Sequence, residues 1–260
     1  MKRTNYLNNK DILSEIHKSK TTYCSFSDQK YHQFDIILNN ITDINNQTIL
    51  EAQKNLIKRQ SLSTQPEDIK KSELIFRIMT YNHIPDEPGR KKNPKTIADR
   101  KVKLNFPPFQ HWKFNDAGSL ECVGKSHWKG DVDQGTFSMS HGLATDKLAL
   151  MWMKLCERYA TRGNVRGYTY NDEMRGQAIL QLAQIGLQFD ESKSQNPFAY
   201  YTAAVTNSFV RVINLEKRNQ NIRDDILEMN NMNPSYTRQA NDEWAVALKR
   251  EAEFQENNTF

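Results

Sequence analysis

Cysteine is scarce in this chain. The three that occur lie far apart along the sequence, at Cys24, Cys122 and Cys156. An odd and sparse set does not build a disulfide framework, so the pattern favours a reducing compartment. Cys122 and His127 are five residues apart, with His111 and His141 nearby in sequence, but no CxxC or HxxxH pair accompanies them. Because zinc sites use such closely spaced ligands, we expect neither a metal nor another cofactor.

Long apolar runs are also missing. No stretch approaches the roughly 20 apolar residues that span a bilayer, and the beginning of the chain lacks the apolar core of a secretory signal. The mean hydropathy is low, at -0.79. We therefore expect a soluble, intracellular protein with no membrane partner. Its 260 residues are enough for one or two domains with a core of modest size.

Catalytic motifs are absent as well. The sequence has no glycine-rich phosphate loop, no GxSxG elbow and no convincing pair of acids, so we assign no catalytic residue and expect no enzyme. Two His-Trp pairs, at His111-Trp112 and His127-Trp128, leave a histidine-dependent metal nuclease as an alternative. No matching carboxylate and histidine signature accompanies them, and packing of the two tryptophans explains them as well.

Basic residues are in mild excess, with 36 Lys and Arg against 31 Asp and Glu. A surplus of this size favours an anionic partner such as nucleic acid without identifying one.

Helical periodicity is present near both ends of the chain. Asn8 and Asn9 can cap a first helix, and further helical patterns run over 48–59 and 69–81. From 82 to 142 repeated prolines break the periodicity, and basic and aromatic residues cluster there. This part predicts an irregular, partly stranded insertion that packs on the main body. Regular order returns at Thr145, a plausible N-cap.

The segment 168–218 is the most informative. A helix that starts at 170–172 has an apolar stripe ending at Phe189, and its opposite face is polar: Glu173, Gln177, Gln181 and Gln184. After the acidic turn Asp190-Glu191, Asn196 and Pro197 start another helix. That helix is predicted to bury Tyr201, Val205, Phe209 and Val212-Ile213. Its other face carries Tyr200, Asn207, Arg211, Asn214 and Arg218.

Each of these features has two interpretations. Aromatic residues at helical spacing, including Phe198, usually pack in a core, whereas an exposed Tyr200 beside basic residues can stack an unpaired base, at about 1–3 kcal/mol per base. The basic residues from Arg211 to Arg223 form either an ordinary solvated face or a track for phosphates. In the second case, binding should weaken with salt.

The same segment resembles region 2 of bacterial sigma factors, and more specifically the late-transcription sigma factors of T4-like bacteriophages. The matching residues are Gly167-Tyr168-Thr169, Glu173-Met174, Phe189-Asp190-Glu191-Ser192-Lys193, Asn196-Pro197-Phe198-Ala199-Tyr200, Asn207-Ser208-Phe209-Val210 and Glu216-Lys217-Arg218. A second match is Tyr6-Leu7-Asn8-Asn9-Lys10. Together they cover roughly 145–223 and a short N-terminal piece.

The resemblance implies two binding surfaces. In that family the first helix docks on the clamp-helix coiled coil of core RNA polymerase, a role that falls by position to Glu173, Gln177, Gln181 and Gln184; an ordinary hydrophilic face is the alternative. The next helix reads and opens a TATA-like promoter element. Its implied DNA contacts are Tyr200, Tyr201, Asn207, Arg211, Asn214, Lys217 and Arg218. Tyr200 would support the melted base, and the Asn207 amide suits adenine.

Two departures from the family qualify this prediction. Ala203-Ala204 stand where housekeeping sigma factors carry paired tryptophans, which implies weak melting without a partner. No second DNA-reading domain is evident, a lack that the late phage factors share. Those factors tether to the DNA sliding clamp through a short hydrophobic C-terminal motif, for which Phe254 and Phe260 are the candidates here.

From these observations we predict a mainly α-helical protein with a sigma region 2-like domain and an irregular central insertion. The expected parts are an N-terminal helical segment (1–60), the insertion (61–143), the region 2-like domain (144–228) and a C-terminal helix and tail (229–260). The expected function is a sigma factor for phage late promoters, with host core RNA polymerase, promoter DNA, the sliding clamp and a late co-activator as partners in the cytoplasm of the infected bacterial host. The alternative is a helical nucleic-acid-binding accessory protein of phage replication or packaging.

Overall fold

The computed structural model describes residues 7–61, 63–89 and 93–257, with side chains to Phe254. Tyr6 of the N-terminal motif and Phe260 of the proposed tether lie outside these residues. The chain forms two compact units, Met1–Thr206 and Asn207–Phe260. None of the described helices is both long and apolar enough to cross a membrane.

The first unit is a mixed α/β structure. Its strands are β1 (Cys24–Phe26), β2 (Ile36–Leu38), β3 (Ile75–Met79), β4 (Phe109–Phe114), β5 (Leu120–Ser126), β6 (Trp128–Lys129) and β7 (Thr136–Phe137). Its helices are α1 (Asn9–Thr21), α2 (Asn46–Gln60), α3 (Asp146–Ala160), α4 (Asn171–Ile185) and the first part of α5 (Pro197–Met229). The prediction of a mainly α-helical protein is therefore wrong, because seven strands form two sheets.

The larger sheet has the strand order β1-β5-β4-β3-β2, in which β2 and β3 are parallel and the other neighbours are antiparallel. Helix α2 covers one side of it, where Ala52 and Leu56 form a core with Phe76 and Ile78. Residues in a strand alternate between faces, so Arg77 points to the opposite side, towards α1. The β6–β7 hairpin forms the second sheet.

The central segment combines irregular stretches with strands that share a sheet with the N-terminal segment. Residues 61–143 supply β3, β4 and β5, and the N-terminal segment supplies β1 and β2 of the same sheet. The helix predicted over 69–81 is in fact β3. This strand is buried on both faces from Ile75 to Ile78, so it lacks the alternation that distinguishes a strand from a buried helix.

The predicted helices around this sheet are confirmed. The Asn8 side chain accepts a hydrogen bond from the Lys10 backbone N–H at the start of α1, and the Thr145 hydroxyl accepts one from Leu148 N–H at the start of α3. The Asn196 side chain caps α5 by accepting from Ala199 N–H. Capping satisfies backbone donors that a helix cannot pair internally, which explains why the sequence marks these positions well.

The second unit contains the remainder of α5 and α6 (Tyr236–Asn257). Helix α5 continues past the predicted end at 223–225 to Met229. Asp224 is 3% exposed and accepts hydrogen bonds from the backbone N–H and the hydroxyl of Ser235, at 2.9 and 2.7 Å. Arg238 on α6 pairs with Asp225 and Glu228 of α5. These contacts fix the turn that joins the two helices.

Candidate functional site

Helix α4 presents one polar face to solvent in the first unit. Its apolar side is buried at Met174, Ala178 and Leu182. Residues at intervals of three, four and seven share a face of a helix, and the four predicted polymerase contacts follow this spacing. Glu173, Gln177 and Gln184 are exposed and Gln181 is half-buried. The structure thus brings the four residues onto one accessible surface.

Leu180 belongs to this face and was not among the predicted contacts. It lies three residues after Gln177 and four before Gln184, and 58% of its surface is exposed. Neutral amides around an exposed leucine form a surface that loses little hydration when it is covered, so it suits a protein partner. The sequence signal was available, because Leu180 falls outside the buried stripe of α4.

The aromatic residues at the start of α5 form a cluster inside the first unit. Tyr201 is 1% exposed, and its hydroxyl donates to the Gly186 carbonyl at 2.8 Å. Its ring meets the Trp152 ring edge to face. Burial raises the pKa of the Tyr201 phenol. In this conformation Tyr201 has no surface to offer DNA, so its predicted DNA contact is not retained.

Tyr200 has a different environment. It is half-buried, with its ring 5.6 Å from the Phe189 ring and its hydroxyl donating to the Ile185 carbonyl at 3.2 Å. Burial also raises the pKa of this phenol. The hydrogen bond orients the ring, and part of the ring remains accessible to a ligand.

The exposed face of α5 in the second unit carries the other predicted DNA contacts. Asn207, Arg211, Asn214 and Arg218 are all exposed and follow helical spacing, with Lys217 at the edge of the face. From Asn207 to Arg218, a stretch that is described throughout, no carboxylate lies on this face; Glu216 is on the opposite side. Predicted burial of Phe209 and Val212 is confirmed, at 1% and 5% exposure.

The two matching pieces of sequence meet in the first unit. The Asn9 side chain of α1 accepts a hydrogen bond from Phe198 N–H of α5 at 3.1 Å, across 189 residues. The acidic turn is anchored to α1, because the Lys20 ammonium of α1 donates to the Phe189 carbonyl and to Glu191 Oε2 at 2.7 and 2.8 Å. Lys20 is 1% exposed. The sequence identifies this acidic turn but does not indicate that the Glu191 side chain is only 7% exposed.

Two histidines of the central segment, His111 and His127, are packed in the interior. His111 is fully buried between the Nε donor of Arg77 (3.0 Å to Nε2) and the Tyr31 carbonyl (2.7 Å from Nδ1). His127 is also fully buried, with its ring 4.1 Å from the Phe106 ring. Among the described residues no group of three or more His, Cys, Asp or Glu side chains is arranged to hold a metal. The nuclease alternative therefore has no assembled site there.

Of the two candidate tether residues, Phe254 lies on α6 and is 69% exposed, whereas Phe260 is outside the described residues.

The three cysteines are free thiols, and burial raises the pKa of Cys24 to about 12.

No protein-family model, curated protein or solved structure shows a significant match to this chain.

Proposed function

We propose that this chain is a non-enzymatic sigma factor that binds a bacterial core RNA polymerase and directs it to TATA-like late promoters of a phage. The proposal is carried by the exposed face of α5, which presents asparagines and arginines without a carboxylate from Asn207 to Arg218. Such a face combines phosphate contacts with amides that pair bidentately with adenine. The protein would act in the cytoplasm of the infected host.

Helix α4 supplies the proposed polymerase contact. Its amide face can hydrogen-bond a partner helix at low desolvation cost, and Leu180 adds an apolar contact at its centre. Glu173, in the first turn, is stabilised by the positive end of the helix dipole.

Promoter opening is assigned to Tyr200, because its half-buried ring is already oriented by the Ile185 carbonyl. Ala203 and Ala204 provide no wedge of their own, so the proposal includes dependence on a sliding clamp and a late co-activator. Phe254 is the described candidate for the clamp contact, being the exposed aromatic nearest the C-terminus of α6.

A run-off transcription assay tests the whole proposal. It uses core polymerase, a TATAAATA-type template and sliding clamp either added or omitted. We expect a specific transcript that requires this protein and increases with the clamp. No binding to core polymerase by co-purification would rule out the sigma function.

Substitutions separate the two surfaces. The double variant Gln177→Glu, Gln181→Glu should weaken binding to core polymerase, as should Leu180→Asp. The control Gln60→Glu, on the exposed end of α2, should leave this binding unchanged.

Tyr200→Ala should reduce promoter opening more than core binding. The matched Tyr200→Phe variant keeps the ring and should retain most of the opening activity. Equal loss of core binding and opening in Tyr200→Ala would indicate a folding role instead.

The alternative is a nucleic-acid-binding accessory protein of phage replication or packaging. The basic face of α5 supports this alternative equally, because phosphate contacts do not distinguish a transcription factor from a replication or packaging protein. It predicts DNA binding without any association with core polymerase.

A further inference from the structure

A groove of ≈ 600 Å³ lies along α1 in the first unit. Its lining includes Lys10, Leu13, His17 and Lys18 of α1, with Phe34 and Arg59 across from them. Its lining contains no carboxylate. The volume is within the range of small-molecule sites, which combine apolar walls with a few polar groups.

The charges behind the groove do not balance. Arg77 is 1% exposed and stacks on the Phe34 ring, with its Cζ 3.8 Å from the ring centroid. Its Nη1 is 3.4 Å from His17 Nδ1, and its Nε donates to His111. Burial lowers the pKa of Arg77 to about 10, so the guanidinium stays charged at neutral pH.

Both imidazoles beside Arg77 are neutral at pH 7. Burial lowers the pKa of His17 to about 4, and burial likewise lowers that of His111 well below its ordinary value. The carboxylate that attracts Arg77 is Glu191, which already pairs with buried Lys20 at 2.8 Å and whose Oε1 lies 3.5 Å from His17 Nδ1. Two buried cations therefore share one carboxylate. A buried charge without a counterion is costly, so an anion at the groove floor would be favoured.

The rim of the groove adds further positive charge. Lys10 is exposed, and its ammonium has no ion pair within the described part of the chain. Lys18 pairs with Glu15, three residues before it on α1, and Arg59 pairs with Asp35. Cations from two helices around an opening suit a phosphate, whose oxygens accept from several directions. Leu13 and Phe34 provide apolar surface for the body of such a ligand.

We propose that this groove binds a small organic phosphate of nucleotide size, with its phosphate near Lys10 and His17 and its apolar part against Leu13 and Phe34. None of the residues that line the groove belongs to the proposed promoter or polymerase surface. Such binding would make the protein responsive to a nucleoside phosphate.

Calorimetric titration of the full chain with AMP and with UMP, beside inorganic phosphate and adenosine as separate probes, tests the proposal. At least one nucleotide should bind about tenfold more tightly than inorganic phosphate or adenosine, because only the nucleotide contacts both the basic rim and the apolar wall of the groove. Lys10→Gln should weaken nucleotide binding about threefold, and the double variant Lys10→Gln, Lys18→Gln about tenfold. The matched control Lys58→Gln removes an exposed charge from α2 outside the groove and should change nothing.

The imidazole signals of His17 locate the ligand even if a variant folds poorly. Bound nucleotide should shift them and raise the pKa of His17, whereas the signals of His83, a half-buried histidine outside the groove, should not change. Absence of nucleotide binding at millimolar concentration overturns the proposal. So does equal weakening by Lys58→Gln, or binding of inorganic phosphate as tight as that of the nucleotides. Binding confined to oligonucleotides would show a general polyanion surface instead.

Discussion

At the scale of single residues, the most consequential position is Glu191. In sequence it belongs to an acidic turn, and acidic turns are usually solvated. In the structure its side chain is 7% exposed and pairs with Lys20, which is itself 1% exposed. Burial by itself would raise the pKa of Glu191, but the charges of Lys20 and Arg77 lower it. The charge therefore persists in the interior and joins α1 to the turn before α5.

Glu191→Gln should destabilise the protein by about 3 kcal/mol, because it leaves Lys20 buried without its counterion. The free energy of unfolding in urea measures this. Asp190→Asn is the matched control on the same turn. Asp190 pairs with Lys193, whose side chain is 82% exposed, so its loss should cost less than about 1 kcal/mol. Similar losses in the two variants would contradict the assigned role of the buried pair.

At the scale of elements, the capped starts of α1, α3 and α5 were well predicted, but the end of α5 and the strands were not. Caps are local, so Asn8, Thr145 and Asn196 identified their helices from sequence. The pattern of β3 predicts a helix because both faces of the strand are covered. Helix α2 covers one face, and on the other face Arg77 packs against the rings of Phe34 and Phe109. A short apolar run can be identified as a strand only when its partner strands are known, and those partners are far away in sequence.

The contact between α3 and α4 depends on glycine at one position. A Cβ added at Gly186 would lie 2.2 Å from Trp152 Cζ2, so Gly186→Ala should destabilise the protein by about 1–3 kcal/mol. Gly176, within α4, has open space around it, and Gly176→Ala should stabilise by up to about 1 kcal/mol through helix propensity. Thermal unfolding of the pair measures both effects. A stable Gly186→Ala variant would show that Trp152 can move aside.

The proposed DNA face of α5 predicts a salt dependence. Three phosphate contacts, by Arg211, Lys217 and Arg218, give a slope of log K against log salt of about -2.7 for duplex DNA. Arg211→Ala and Arg218→Ala should each reduce the magnitude of that slope by about one. Arg158→Ala, at an exposed position near the end of α3, serves as the control. An unchanged slope in both α5 variants would remove this face from the DNA interface.

At the scale of the whole molecule, three histidines with lowered pKa values predict acid sensitivity. Burial lowers the pKa of His17 and His83 to about 4 and that of His127 to about 3, from an ordinary 6.5. Between about pH 6.5 and pH 4 the unfolded chain takes up protons at these positions and the folded chain does not. Stability is therefore complete above pH 6.5 and falls as the pH is lowered through this window.

His127→Asn tests the largest of these contributions. Asparagine tolerates the left-handed backbone at this position, where φ is 54°, but does not titrate. The variant should be less stable at pH 7, because the ring contact with Phe106 is lost. Its loss of stability per pH unit below pH 6.5 should be smaller by up to about 1.4 kcal/mol. An unchanged pH profile would mean that His127 titrates normally in the folded protein.

The sequence by itself determined the helices and the two exposed faces. Capping residues and the 3.6-residue period are local, so the polar face of α4 and the basic face of α5 were predicted residue by residue and lie on the surface. Only the tertiary structure decided the sheet, the burial of Tyr201 and Glu191, and the surplus charge of Arg77 behind the α1 groove. Each of these depends on contacts between segments far apart in sequence, such as Lys20 with Glu191 and Arg77 with His17, which no local pattern specifies.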